Sequence, residues 1–296
     1  MKKINSLLLA LVASVLVSSC GTTRTVPITG RKQNLMVGDA EMLSLSTQEY
    51  SKYMATAKKS TDTKNTAMVQ RVGKNLANAV ETYLKNNGLA SELEGYQWEF
   101  NLVQDNNVNA FCMPGGKIVV YEGLLPVTKD EASLAIVLGH EIAHAVAKHS
   151  AEQYSNKLKQ QGFLQGASIL AAGMGVSSDV QQLGTLGIGV ISPFFTSGFS
   201  RKHENEADHI GLIFAAMAGY DPAVAVDFWQ RMSAATGGGS NSLLSDHPSD
   251  ATRIKNIQGW LPEAQKYYVK PAATTTKTKT TQKTSSKKTT TKNKKK

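Results

Sequence analysis

The run Val137-Leu138-Gly139-His140-Glu141-Ile142-Ala143-His144-Ala145-Val146-Ala147-Lys148-His149-Ser150 constrains this chain more than any other stretch. Residues 130–149 read as one strong helix, apolar enough to be buried, yet carrying three histidines and a glutamate. A helix turns about 100° per residue, so His140 and His144 lie about 40° apart and project from one face. His149 lies about 180° from His140, so it is not expected to join them and reads as a solvated residue near the helix end, where the dipole favours a cation. Glu141 sits at the edge of the histidine face. Unpaired imidazoles and a carboxylate are costly to bury, and a metal ion gives them a reason to be there. Two neutral imidazoles, with a carboxylate that reaches a water at the metal without coordinating, are what a catalytic zinc site needs.

The H-E-x-x-H pattern by itself is weakly specific, and zinc requires a third protein ligand and an open position. A metzincin would have glycine at 147 and histidine at 150; here these are Ala147 and Ser150, which excludes that class. The remaining option is a carboxylate on a later helix. Within Ser200-Arg201-Lys202-His203-Glu204-Asn205-Glu206-Ala207-Asp208-His209, Glu204 and Asp208 are four apart and share a face. Glu204 is the expected ligand, and Asp208 is expected to accept a hydrogen bond from the outer nitrogen of a ligand histidine. Glu206, on the opposite side, reads as a surface acid. His203 and His209 read as supporting or surface residues rather than ligands.

The chain ends separate from this body. Lys2 and Lys3, an apolar run over 4–17 and Ser18-Ser19-Cys20 have the form of a secretory signal (1–19). Val17-Ser18-Ser19-Cys20 looks like a bacterial lipobox, so Cys20 is the expected lipidation site and 20–38 the linker from that anchor. The implied location is the periplasm, lipid-anchored to a membrane, the outer one favoured. Cys112 then lacks a disulfide partner and reads as a buried, inert thiol.

Residues 263–296 form the expected disordered tail: from Pro271 onward no large apolar residue occurs. Nine lysines of 271–296, with Lys2 and Lys3, account for the net charge of +10; the rest of the chain holds 22 basic against 23 acidic residues. The basic balance therefore belongs to a tail able to touch an anionic surface, and predicts no specific nucleic-acid partner.

The body, 39–262, reads as α+β: helices over 39–57, 66–86, 130–149, 200–218, from Asp221-Pro222, and over 248–259, around a small three- to four-stranded sheet using 98–103, 108–113 and 117–121. The apolar, glycine-rich stretch within 150–199 reads as a lid or insertion between the two metal-bearing helices. Gly237-Gly238-Gly239-Ser240 reads as a flexible loop.

Taken together, His140-Glu141-Ile142-Ala143-His144 and Glu204-x-x-x-Asp208 resemble peptidase family M48, the zinc metallopeptidases related to CAAX prenyl proteases. Val26-Pro27-Ile28-Thr29-Gly30-Arg31-Lys32-Gln33, Asn109-Ala110 before Pro114-Gly115-Gly116, and His247-Pro248 with Arg253 extend the resemblance. It is greatest to the soluble, periplasmic lipoprotein branch. It implies a mainly helical zincin of gluzincin type, one zinc per chain on His140, His144 and Glu204, and Glu141 as catalytic base. His247 is the expected oxyanion donor, with a fourth-ligand role and a purely structural one left open. Arg253 is expected to hold substrate backbone or to pair with an acid of the site. Asn109 and Ala110, on the edge strand, are expected to touch substrate backbone. The function implied is zinc-dependent endopeptidase action on unfolded or misassembled envelope proteins, in quality control. The alternative is an envelope assembly factor or chaperone whose zinc is structural.

Overall fold

The computed structural model describes residues 21–173, 198–236 and 251–269, with 162–173, 236 and 251 as backbone only. The signal segment, Cys20, the 237–240 loop, His247, residues 174–197 of the expected lid and residues 270–296 of the expected tail lie outside the described residues; residues 263–269, expected within that tail, instead include the end of a helix and a 3-10 turn (Gln265–Tyr267).

Helix α1 (Asp39–Thr56) and helix α2 (Thr63–Asn86) match the two expected amphipathic stretches. In α2 the side chain of Asp62 accepts from the Asn65 N–H, capping the first turn, and Val69, Val72, Leu76, Val80 and Leu84 recur on one buried face. Strands β3 (Glu99–Val103), β4 (Ala110–Met113) and β5 (Lys117–Tyr121) form a mixed sheet in the order β3-β5-β4. The unbroken apolar run Ile118-Val119-Val120 makes β5 the central strand, parallel to β3 and antiparallel to β4. Gly115 and Gly116, both at positive φ, close the β4–β5 turn. This order leaves β4 on the edge of the sheet.

After a short helix α3 (Leu125–Thr128), helix α4 (Glu131–Val146) runs through the centre of the molecule. Asp130 caps it by accepting from the Ser133 N–H at 2.7 Å, and every residue from Ser133 to Val146 is buried. The expected helix over 130–149 stops three residues early. Lys148 adopts φ 55°, a left-handed conformation that costs a non-glycine residue about 1–2 kcal/mol. Its ammonium is held by Asp39 at 2.8 Å and Glu92 at 2.6 Å, partners from distant segments that local sequence does not display. The chain turns there, and helix α5 (His149–Gly173) sets out in a new direction.

Helix α6 (Arg201–Met217), capped by Ser200, packs along α4. The two cross at Gly139 and Gly211, where the backbones touch: a Cβ on Gly139 would lie 2.7 Å from the Gly211 carbonyl oxygen, and one on Gly211 2.7 Å from the His140 nitrogen. Helices α7 (Val224–Thr236) and α8 (Ala251–Ala264) cover the far side. The aliphatic faces of α2, α4, α6 and the inner sheet face build the main core, with Phe214, Phe228 and Trp229 as its largest fully buried side chains beyond the aliphatics.

Residues expected as a linker fold instead. Strands β1 (Thr22–Thr25) and β2 (Lys32–Leu35) pair as an antiparallel hairpin, its connection tightened by hydrogen bonds between Val26 and Arg31 and between Gly30 and Val26. Ser155 on α5 accepts from the Met36 N–H, and Arg24 pairs with Asp39 and Glu92, so the hairpin is bolted to the body. Among the described residues, no helix is long and apolar enough to cross a membrane.

Candidate active site

The glycine crossing of α4 and α6 sets the spacing of the site. With the backbones in contact, His140 and His144 on α4 face Glu204 on the first turn of α6. The Nε2 atoms of the two imidazoles are 3.1 Å apart, and the Glu204 carboxylate lies 3.4 Å from His140 and 3.5 Å from His144. All three residues are buried, and one donor atom from each falls within a 4.8 Å cluster. Two nitrogen lone pairs and a carboxylate converge on one point in a water-poor interior. That is the donor set of a transition-metal site, and the residues fit a zinc-sized ion with N and O ligands.

Behind each imidazole stands a second polar group. His140 Nδ1 is 2.8 Å from Asp208 Oδ1. Arg253 from α8 donates to both oxygens of Asp208 at 2.7 Å, stacks 3.6 Å over the Trp229 ring, and is 3 % exposed. Burial alone would raise the Asp208 pKa; the charges of Arg253 and His140 outweigh it and hold the carboxyl below its ordinary value. His144 Nδ1 is 2.8 Å from His149 Nδ1, and His149 Nε2 is 3.0 Å from Glu206 Oε2. The Phe199 ring stacks on His144 with centroids 4.0 Å apart.

Glu141 stands outside the ligand triad and is 2 % exposed. Burial first, then the Glu141 charge, pushes the Cys112 thiol on β4 well above its ordinary pKa. Cys112 is half-buried rather than fully enclosed. On β4, the Tyr121 N–H donates to the Asn109 carbonyl. In the antiparallel alternation this turns the backbone groups of Ala110 and Cys112 away from β5, toward the sheet edge. The Ala110 N–H is taken by the Asn109 side-chain oxygen at 2.8 Å.

Comparison with known proteins adds an independent line. The family model described as Peptidase family M48 matches residues 63–261. This chain belongs to peptidase family M48. It is 41 % identical over 192 residues to the mitochondrial metalloendopeptidase OMA1 of Schizosaccharomyces pombe, covering 63 % of this chain and 53 % of that protein. It is 32 % identical over 248 residues to the mitochondrial metalloendopeptidase OMA1 of Homo sapiens, covering 81 % and 46 %. The metalloprotease LoiP of Escherichia coli is 28 % identical over 172 residues, covering 58 % and 66 %. The chain spans about half the length of the OMA1 relatives it matches.

His140, His144 and Glu204 come together in one cluster, with Asp208 against His140, while Glu141 is buried outside that cluster. Other expectations are corrected. His149 is not solvated: it is fully buried, because the helix break at Lys148 swings it back beside His144 instead of carrying it round to the far face. Burial pushes its pKa down to about 4 despite the Glu206 hydrogen bond.

Glu206 is not a surface acid. Its side of α6 is covered by the N-terminal hairpin, where Thr29 Oγ1 donates to it at 2.5 Å and Arg31 at 2.7 Å. Burial would raise Glu206, but bonds from His149, Thr29 and Arg31 bring it to about 2. His203 is also buried and pairs with Glu152 at 3.2 Å, while His209 pairs with Glu263 and stacks on Trp260. Arg253, expected among the substrate contacts, directs its guanidinium to Asp208; of its two roles, pairing with an acid of the site is the one the geometry displays. Arg31 and Thr29 precede the stretch matched by the M48 model. Their signal in the sequence was the Thr29-Gly30-Arg31 segment of the family-like N-terminal run.

Proposed function

We propose that this chain is a zinc-dependent endopeptidase of the bacterial cell envelope, with Glu141 as its base. The observation that carries this reading is the division of labour on α4: His140 and His144 converge with Glu204, while Glu141, equally buried, stays out of that triad. A site serving structure alone has no use for that glutamate.

His140, His144 and Glu204 would hold the ion. When bound, zinc supplies Lewis acidity, polarising a scissile carbonyl and acidifying a water. Glu141 takes the proton of the attacking water on a carboxylate oxygen and delivers it to the leaving amine. Substrate joins β4 as an added strand, aligned by the outward carbonyl of Ala110 and the outward backbone groups of Cys112, while Asn109, holding the Ala110 N–H, orders the start of that edge. Asp208 and Arg253 keep His140 in place. His247 donates to the developing oxyanion; its support is the His247-Pro248 motif.

The envelope setting is supported by the signal-like segment with Cys20 as lipidation site, and by likeness to a bacterial metalloprotease, LoiP. Unfolded or misassembled envelope proteins are the proposed substrates, and the lysine-rich tail the proposed contact with an anionic surface.

The test is Glu141→Gln. Zinc content by elemental analysis should stay at one per chain, while cleavage of an unfolded protein such as casein falls about 10²–10⁴-fold. Undiminished cleavage by that variant rejects the base assignment, and wild-type protein that purifies without metal and acquires none rejects the zinc site.

A further inference from the structure

His144 reaches the protein behind it through a second imidazole, and the pattern of protons along that path is determined by its ends. Resting on the metal reading above, His144 offers the Nε2 lone pair to the ion. A neutral imidazole has one N–H, so the His144 proton sits on Nδ1. At 2.8 Å, His149 Nδ1 must then accept it, since two N–H groups cannot face each other at that distance. The single proton of His149 is thereby placed on Nε2, 3.0 Å from Glu206 Oε2. Glu206 is suited to receive it: as a carboxylate it also accepts from Thr29 Oγ1 at 2.5 Å and from Arg31 Nε at 2.7 Å, and it pairs with the Arg31 charge, with Nη2 2.7 Å away. Arg31 in turn forms a fork with Glu152 at 2.7 and 2.9 Å, and Glu152 accepts from His203, whose ring stacks on His149 with centroids 4.4 Å apart. Every link in this path has a donor facing an acceptor.

We propose that His149 is the positioning residue for His144, accepting its Nδ1 proton and passing the constraint to Glu206, so that Arg31 and Thr29 of the N-terminal turn set the tautomer and tilt of a metal ligand. Ligand histidines are commonly oriented by a carboxylate on the outer nitrogen, and loss of such a partner weakens metal binding about 10–100-fold. Here the carboxylate acts through an interposed ring. The N-terminal turn, outside the M48-matched stretch, becomes part of the metal site.

Two measurements test this on the full chain. The first uses zinc alone, with affinity read by competition against a chromophoric chelator. His149→Leu keeps the bulk but removes the acceptor, and should weaken zinc about 10–100-fold. His149→Asn places a carbonyl oxygen where Nδ1 stood and should recover most of that loss. His149→Leu that melts like wild type and binds zinc equally tightly overturns the proposal while leaving the protease reading intact. Wild type that binds no zinc overturns both.

The second measurement needs no variant: ¹⁵N–¹H imidazole correlation spectra of zinc-loaded, histidine-labelled protein. His144 should appear as the Nδ1–H form and His149 as the neutral Nε2–H form. A proton on His149 Nδ1 overturns the proposal even if His149→Leu fails to fold.

Discussion

His140 and His144 leave the same helix one turn apart, yet the structure holds them by different means. His140 rests directly on Asp208, four residues beyond Glu204 on the same helix, and Asp208 is locked by Arg253 from α8. His144 rests on His149, which exists at that place only because the chain reverses at Lys148, and His149 rests on Glu206, which is gripped by the N-terminal turn. One support lies inside the family-matched stretch and uses a regular helical repeat. The other joins three separate segments. The contrast teaches that a metal ligand's second partner is visible in sequence when it shares a helix face with another ligand, and hidden when it arrives through a turn.

The largest effect is expected at the direct support. Asp208→Asn leaves the Arg253 guanidinium buried without its main counter-charge, which typically costs about 3–5 kcal/mol in chemical denaturation. Glu206→Gln should cost less, about 1–3 kcal/mol, because Arg31 keeps the Glu152 carboxylate as a partner. An equal or reversed order would break the comparison and make the N-terminal turn the stronger anchor.

Gly139→Ala probes what both supports share. The added Cβ meets the Gly211 carbonyl at 2.7 Å, so α4 and α6 must separate. A loss of about 1–3 kcal/mol is expected, together with weaker zinc binding, since Glu204 moves off with α6. Unchanged melting and zinc affinity would show that the crossing does not set the site's spacing.

Acid sensitivity probes the second support further. Burial would raise the Glu152 pKa, but His203 and Arg31 hold it at about 2, against an ordinary 4.5. A carboxyl depressed in the folded state contributes stability that is complete above its ordinary pKa and is lost as pH falls toward the folded value. Melting temperature should therefore decline from about pH 5 toward pH 2, and Glu152→Gln should flatten that decline. An unaltered acid limb in the variant would remove Glu152 from the account. The smallest effect belongs to the exposed Arg71–Glu131 pair at the start of α4: Arg71→Ala should leave the melting temperature essentially unchanged, and a clear drop would show that surface charge also secures this helix.

Much of the architecture was legible from periodicity. The apolar spacing of α2, the alternation of β3, the Pro114-Gly115-Gly116 turn and the helix beginning at Ser200 are local features, and local physics decides them. The hairpin of β1 and β2 was not legible, because its short polar strands are stabilised by contacts with α5 and by Arg24 rather than by a pattern of their own. The end of α4 was misread for a similar reason. Nothing in Ala147-Lys148-His149 forbids a helix; the left-handed Lys148 is held by Asp39 and Glu92 from elsewhere in the chain.

The sequence by itself determined the identity of the metal-binding face: one helical repeat put His140 and His144 together, a second put Glu204 beside Asp208, and the absence of glycine at 147 and histidine at 150 excluded the competing ligand pattern. Only the tertiary structure decided what stands behind that face. Burial converts Glu206, His149 and Arg253 from ordinary polar residues into a connected interior, because a charge removed from water must find its partner wherever the fold brings one near, at any distance along the chain.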